Sequence, residues 1–291
     1  MLPLYDAHNH LQDAWLAPQR AQILTDLAAA GGRHAVVNGT GETDWPEVQA
    51  LSQTSPIVLP SYGLHPWDVG NRSPDWQENL LTALKPAPAK VGRSAVALAK
   101  VGEIGLDRWI LDRAHPDDPR LAGLRRAPLA EQTEVFLWQL DLAATANLPM
   151  SIHCLDAWDP LLDLLRGAKR PARGFLLHAY SGPVEMVQSF ADLGAHFSFN
   201  GNFLEPRKTR LRELYTTLPA DRLLVETDAP AMCLPPAIEK FPPISTNDGS
   251  LANHPANLVA AYRALADLRR TDLETLAAQV GENFRGLFLE H

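Results

Sequence analysis

Eight short apolar runs, each followed by a longer segment, divide this 291-residue chain at regular intervals. Strands are expected at Leu4–His8, Ala35–Gly39, Val58–Gly63, Ala97–Gly102, Pro149–His153, Gly174–His178, Ala195–Asn200 and Leu223–Glu226. The intervening segments read as amphipathic helices, among them Pro18–Ala30 with Gly31-Gly32 as a stop, AEQTEVFLWQLDLAATANLP ahead of the fifth strand, and PVEMVQSFADLG ahead of the seventh. Strand-then-helix repetition implies parallel strands joined by right-handed crossovers. Eight such units point to a (β/α)8 TIM-type barrel, an α/β fold that typically needs about 250 residues. An open doubly wound sheet is the alternative, but the first strand is not followed by the glycine-rich loop of its dinucleotide-binding form. No fixed-period repeat or low-complexity linker divides the chain, so residues 1–288 read as one domain. The closing Leu289-Glu290-His291 looks like a purification-tag remnant.

No apolar run is long enough to cross a bilayer, and the N-terminus turns polar too soon for a signal peptide. With only Cys154 and Cys233 present, a disulfide framework is excluded and a reduced, cytoplasmic setting is expected. Cys154 reads as a small buried apolar residue. A net charge of −8 argues against general electrostatic capture of nucleic acid, leaving room for local basic patches. Nothing points to a membrane or a protein partner. Two long segments, Arg108–Pro128 and Ala229–Pro255, break the rhythm after the fourth and eighth strands. In a barrel both would lie over the C-terminal mouth, where loops shape a site.

The polar residues at the strand ends carry the chemistry. His8 and His10 alternate at the end of the first strand, so both rings project to one face. His65 follows the third strand, Glu103 the fourth, His153 the fifth, His178 the sixth, and Glu226 and Asp228 the eighth. Each alone could cap a helix or bond a loop carbonyl. A barrel brings all of these ends to one mouth, where clustered imidazoles and carboxylates are costly to bury unless a cation joins them. The set exceeds the three or so protein ligands of one catalytic zinc and suits two divalent ions about 3.5–4 Å apart. Imidazole and carboxylate do not discriminate among Zn, Mn, Mg, Ni and Co.

Taken in order, DAHNHL, GLHPW, GEIGLD, SIHC, LHAYSG and ETDAP resemble the motifs of the TatD-type deoxyribonuclease family of metal-dependent hydrolases, within the amidohydrolase-like barrels. The likeness extends to GENFRGLF, similar to the family's closing N-x-x-x-L-F helix. It implies a metal-dependent phosphodiesterase acting on nucleic acid. By the same resemblance His8, His10 and Asp228 would hold one ion, His153 and His178 the other, and Glu103 would bridge them. Asp228 would accept the proton of the attacking water, and His65 would contact the phosphate.

The chain departs from that family at several points. Leu155 stands where an Arg is usual, Arg108-Trp109 replaces an aromatic pair, Ala179 stands where Cys is frequent, and a basic residue before Asn253-His254-Pro255 is missing. Arg207, Lys208, Arg210 and Arg212 after the seventh strand read as the solvated start of a helix or, in compensation, as a phosphate-tracking patch. Two other readings are open: a dinuclear barrel hydrolase of a carboxylic ester, lactone or aminoacyl ester, and a non-catalytic scaffold. The scaffold reading predicts a lost ligand, and none is lost.

Overall fold

The computed structural model describes residues 2–85, 99–246 and 249–289. Ala97 and Leu98 of the expected fourth strand, and Glu290 and His291 of the expected tag remnant, lie outside them. Eight strands form one parallel sheet in sequence order: β1 (Leu4–Asn9), β2 (Gly32–Asn38), β3 (Val58–Tyr62), β4 (Lys100–Asp107), β5 (Met150–Leu155), β6 (Phe175–Leu177), β7 (Ala195–Asn200) and β8 (Leu223–Glu226). Helices α1 (Arg20–Ala29), α2 (Trp45–Thr54), α3 (Trp76–Ala83), α5 (Leu129–Ala146), α6 (Trp158–Gly167), α7 (Val187–Asp192) and α8 (Thr209–Thr217) make the crossovers, and the one-turn α4 (Trp109–Asp112) precedes α5. A two-stranded ribbon, β9 (Ile244–Ser245) with β10 (Leu251–Ala252), precedes the closing helices α9 (Leu258–Arg269) and α10 (Leu273–Phe288). This is the TIM-type barrel read from the strand–helix rhythm.

Strand burial follows from that arrangement. Every residue of β1, β3, β4, β7 and β8 is buried, as expected where side chains face either the barrel interior or the helical jacket. The outward face meets Val135, Phe136, Leu140 and their neighbours on α5, or Leu276, Val280, Phe284 and Phe288 on α10. Asn283, the Asn of the closing motif, donates to the carbonyls of Ala220 (2.7 Å) and Leu223 (2.8 Å), pinning α10 at the start of β8. Tyr262 on α9 likewise brackets Tyr5, accepting from its backbone N and donating to its carbonyl.

The edges β1 and β8 meet through side chains and loop backbone. Asp6 accepts from the Thr227 backbone N (3.0 Å) and hydroxyl (2.6 Å). Just beyond, Asp228 N donates to His8 O (3.0 Å) and His10 N to Ala229 O (2.8 Å). The barrel seam therefore passes directly through segments that carry candidate site residues.

The fourth strand corrects the sequence expectation. The strand expected over Ala97–Gly102 continues to Asp107, pairing Ile104, Gly105, Leu106 and Asp107 with Ile152, His153, Cys154 and Leu155. Glu103 thus lies within a strand. The reason for the continuation is Gly105, whose φ is +150° and whose missing Cβ would sit 1.9 Å from the His153 carbonyl oxygen. Only glycine lets β4 approach β5 this closely. Gly105→Ala should therefore destabilise the fold by at least about 4 kcal/mol, or leave it insoluble, because backbone on both sides must move. Thermal denaturation reads this out, and a parent-like midpoint would contradict the packing argument.

Candidate metal centre

The barrel mouth gathers His8 and His10 from the end of β1, His65 after β3, Glu103 on β4, His153 on β5, His178 after β6 and Asp228 after β8. Glu103 is the hub. Its Oε2 lies 3.4 Å from His8 Nε2 and 3.3 Å from His10 Nε2, while Oε1 lies 2.8 Å from His178 Nε2, 3.0 Å from His153 Nδ1 and 3.5 Å from His65 Nε2. Asp228 Oδ1 closes the Oε2 side, 3.7 Å from His8 Nε2 and 3.5 Å from His10 Nε2. The two oxygens of one buried carboxylate therefore face two imidazole groups, His8 and His10 on one side and His153, His178 and His65 on the other.

Outer contacts fix which ring nitrogen faces inward. His10 Nδ1 donates to the Asn38 carbonyl at 2.8 Å, which turns Nε2 toward the cluster. His8 Nδ1 lies 2.7 Å from Ser151 Oγ and 3.1 Å from Asn38 Nδ2, and the ring stacks on His178 with centroids 4.0 Å apart. His153 Nε2 donates to Asp107 Oδ2 at 3.2 Å, which turns Nδ1 toward Glu103 and His178. Asp107 in turn accepts from Trp67 Nε1 (2.6 Å) and Ile110 N (3.1 Å). Such carboxylate–histidine pairs orient metal ligands in many proteins.

The charges are mutually compensating. Burial alone would raise the Glu103 carboxyl, but His65, His178 and His8 hold it well below the usual carboxylate range. Burial also opposes ionising Asp228, and His10 and His178 overcome it. Burial works against protonating His153, yet Asp107 and Glu103 hold it up to about 9. His10 rises well above its ordinary value through Asp228 and Glu103 despite burial, whereas burial and the neighbouring His178 lower His8.

The residues fit divalent ions. Donor atoms of His8, His10 and Asp228 lie within 4.8 Å of one another, as do those of His8, Glu103 and His178, and of His65, Glu103 and His153. His178 Nδ1 is buried with no hydrogen-bond partner, 3.8 Å from Glu226 Oε1. That nitrogen faces Glu226 while Nε2, 2.8 Å from Glu103 Oε1, is turned to the cluster, so the fit to a cation rests on the converging imidazole and carboxylate donors.

Every residue expected at the strand ends lies in this cluster. The basic stretch is more dispersed. Lys208 Nζ donates to Asn202 Oδ1 and Arg212 to Glu205 O (2.6 Å) within their own loop, Arg210 donates across to Ser181 O (2.7 Å) in the loop after β6, and Arg207 is exposed. Sequence reasoning missed the orienting role of Asp107, although it sits in the quoted GEIGLD at alternate spacing from Glu103. Asn38 and Ser151 carried no such signal. Glu226 was read only as a strand-end carboxylate. It accepts from Ser198 Oγ, Asn200 Nδ2 (3.3 Å) and Ala179 N (3.3 Å).

A parallel eight-stranded barrel with imidazoles and carboxylates converging at its mouth defines a barrel hydrolase of the metal-dependent class. The sequence model of the family described as TatD related DNase matches residues 5–289, and the chain belongs to that family. Among curated relatives, the 3'-5' ssDNA/RNA exonuclease TatD of Escherichia fergusonii is 29% identical over 289 residues, covering 98% of both chains. The uncharacterized metal-dependent hydrolase YjjV of Escherichia coli K12 is also 29% identical, over 283 residues and 97% of this chain and 96% of that one. The crystal structure of YjjV, a TatD homolog, superposes with a TM-score of 0.80 at 27% identity, covering 99% of this chain and 98% of that one.

Asp107→Asn should leave the barrel folded but loosen His153, lowering divalent-metal affinity about 10- to 100-fold. Calorimetric titration with Mn or Zn measures this; an unchanged affinity would remove Asp107 from the support of the site.

Proposed function

We propose that this protein is a two-metal phosphodiesterase that hydrolyses DNA or RNA strands, with its site residues in the following roles. His8, His10 and Asp228 would hold one divalent ion and His153 and His178 the other, with Glu103 available to both. The observation that carries this reading is the division of the Glu103 oxygens between two imidazole groups, 3.3–3.4 Å away on one side and 2.8–3.0 Å on the other. When bound, a pair of divalent ions supplies an activated water and Lewis-acid stabilisation of the phosphoryl transition state. The donor set leaves Zn, Mn, Mg, Ni and Co equally admissible.

The protein's own groups do the rest. Asp228 Oδ1, facing both His8 and His10, orients the attacking water and accepts its proton. Its left-handed backbone, φ +51°, is sterically costly for a non-glycine residue and is held by Asp228 N donating to His8 O. His65 stands on the Oε1 side and contacts the substrate phosphate. Arg207, Lys208 and Arg210 track further phosphates, giving an acidic chain a local cationic path. The printed name of the Escherichia fergusonii relative, an exonuclease of single-stranded DNA and RNA, supports the choice of substrate. No observation in the site favours the ester, lactone or aminoacyl-ester reading over this one. Among the described residues no helix is long and apolar enough to cross a membrane, and Cys154 and Cys233 are both free. We propose one barrel domain over residues 1–288 and a reducing cytoplasmic setting, which the two free cysteines support.

Asp228→Asn, which keeps volume and tolerates a positive φ, should lower kcat on a single-stranded oligonucleotide by roughly 100- to 10,000-fold with metal still bound. The assay sets the oligonucleotide beside a lactone and an aminoacyl ester for parent and variant. Full activity in the variant would refute the role of Asp228, and parent activity confined to the carbonyl substrates would overturn the phosphodiesterase reading.

A further inference from the structure

Beside the histidine–carboxylate cluster stands an aromatic pair that the reaction scheme leaves unused. Trp67 follows His65 by two residues and Trp109 follows Asp107 by two, so both rings rise from the same mouth. Their planes are inclined by 23° with centroids 6.1 Å apart. The pair is backed by a small apolar cluster of Ile110, Ala114 and Leu121, separate from the main core. The Arg120 guanidinium lies over both rings, its Cζ 5.0 Å from the Trp109 centroid and 5.9 Å from that of Trp67. Its side chain is 56% exposed and is held by Asp118, through Nη2–Oδ2 at 2.6 Å and Nε–Oδ1 at 3.0 Å.

A pair that served packing alone would be sealed by apolar neighbours. This one is only half-buried, and a solvent-facing planar cation covers it. Indole faces and guanidinium planes are the surfaces on which nucleobases stack, since every base presents a π face and the cation also attracts the phosphate. The platform is also tied to the cluster. Trp67 Nε1 donates to Asp107, which holds His153, and the Trp67 ring lies 5.7 Å from that of His65.

We propose that Trp67, Trp109 and Arg120 form a nucleobase-stacking subsite, seating one base of a single strand whose phosphate lies at the histidine–carboxylate cluster. The proposal rests on the phosphodiesterase reading above. It assigns the Arg108–Pro128 insertion a purpose, because that segment supplies both the second indole and the cation. It also makes recognition depend on the presence of a base without distinguishing one base from another.

The test measures binding by fluorescence anisotropy, using the full chain with Asp228→Asn to prevent cleavage. The probes are dye-labelled oligothymidylate and an abasic strand of equal length. Adding Trp109→Ala should weaken oligothymidylate binding about tenfold and leave the abasic strand unchanged. Trp109→Phe should recover most of the loss, and Arg120→Ala should weaken oligothymidylate more than the abasic strand. Equal losses on both probes, no loss on either, or a folded Phe variant no better than the Ala variant would overturn the subsite. Equal binding of the two probes before Trp109 is changed would also overturn it and leave the phosphodiesterase reading standing. A protein that binds neither probe would overturn that reading and this one with it.

Discussion

Burying the carboxylate of Glu103 among imidazoles sets the terms for the whole barrel mouth. A lone buried carboxylate is expensive, and here burial is outweighed by histidines from three different segments, His8 and His10, His65, and His178. Each ring must arrive from its own strand end at about hydrogen-bond distance. That requirement constrains the register of β1, β4 and β5 and the exits of β3 and β6. The close approach of β4 to β5 at Gly105, next to Glu103 and against His153, is one consequence. Another is the left-handed turn at Ala179, φ +43°, directly after His178.

The seam between β1 and β8 ties folding to the site. The backbone contacts that close the barrel, Asp228 N to His8 O and His10 N to Ala229 O, come from candidate ligands or their immediate neighbours. Asp6, two residues before His8, anchors the same seam through Thr227. Burial pushes the Asp6 carboxyl up to about 7, against its bonds from Thr227. Loosening this seam would displace His8, His10 and Asp228 together, so stability and site geometry cannot be separated there.

Much of this was legible in the sequence. Strand–helix alternation exposes the barrel, and a His, Glu or Asp at or just past the end of an apolar run marks a side chain that a barrel carries to its mouth. The readings that needed correction depended on contacts distant in sequence. The extension of β4 from Glu103 to Asp107 is not visible in the sequence because the partners of Ile104–Asp107 on β5 are far along the chain. Ser151 and Asn38, which fix the His8 ring, are ordinary strand residues until the barrel closes around them. The basic run looked like an open patch, yet Lys208, Arg210 and Arg212 each spend a donor on their own surroundings, which no spacing rule reveals. The Trp67–Trp109–Arg120 stack joins two loops from different strands and has no linear signature.

The central claim is that Glu103 is shared by two ions. Crystals of the protein purified without chelator and soaked in manganese, measured on both sides of the manganese absorption edge, test it directly. The account predicts two anomalous peaks flanking the Glu103 carboxylate, one among His8, His10 and Asp228 and the other beside His153 and His178. A single peak, or peaks away from Glu103, would contradict it.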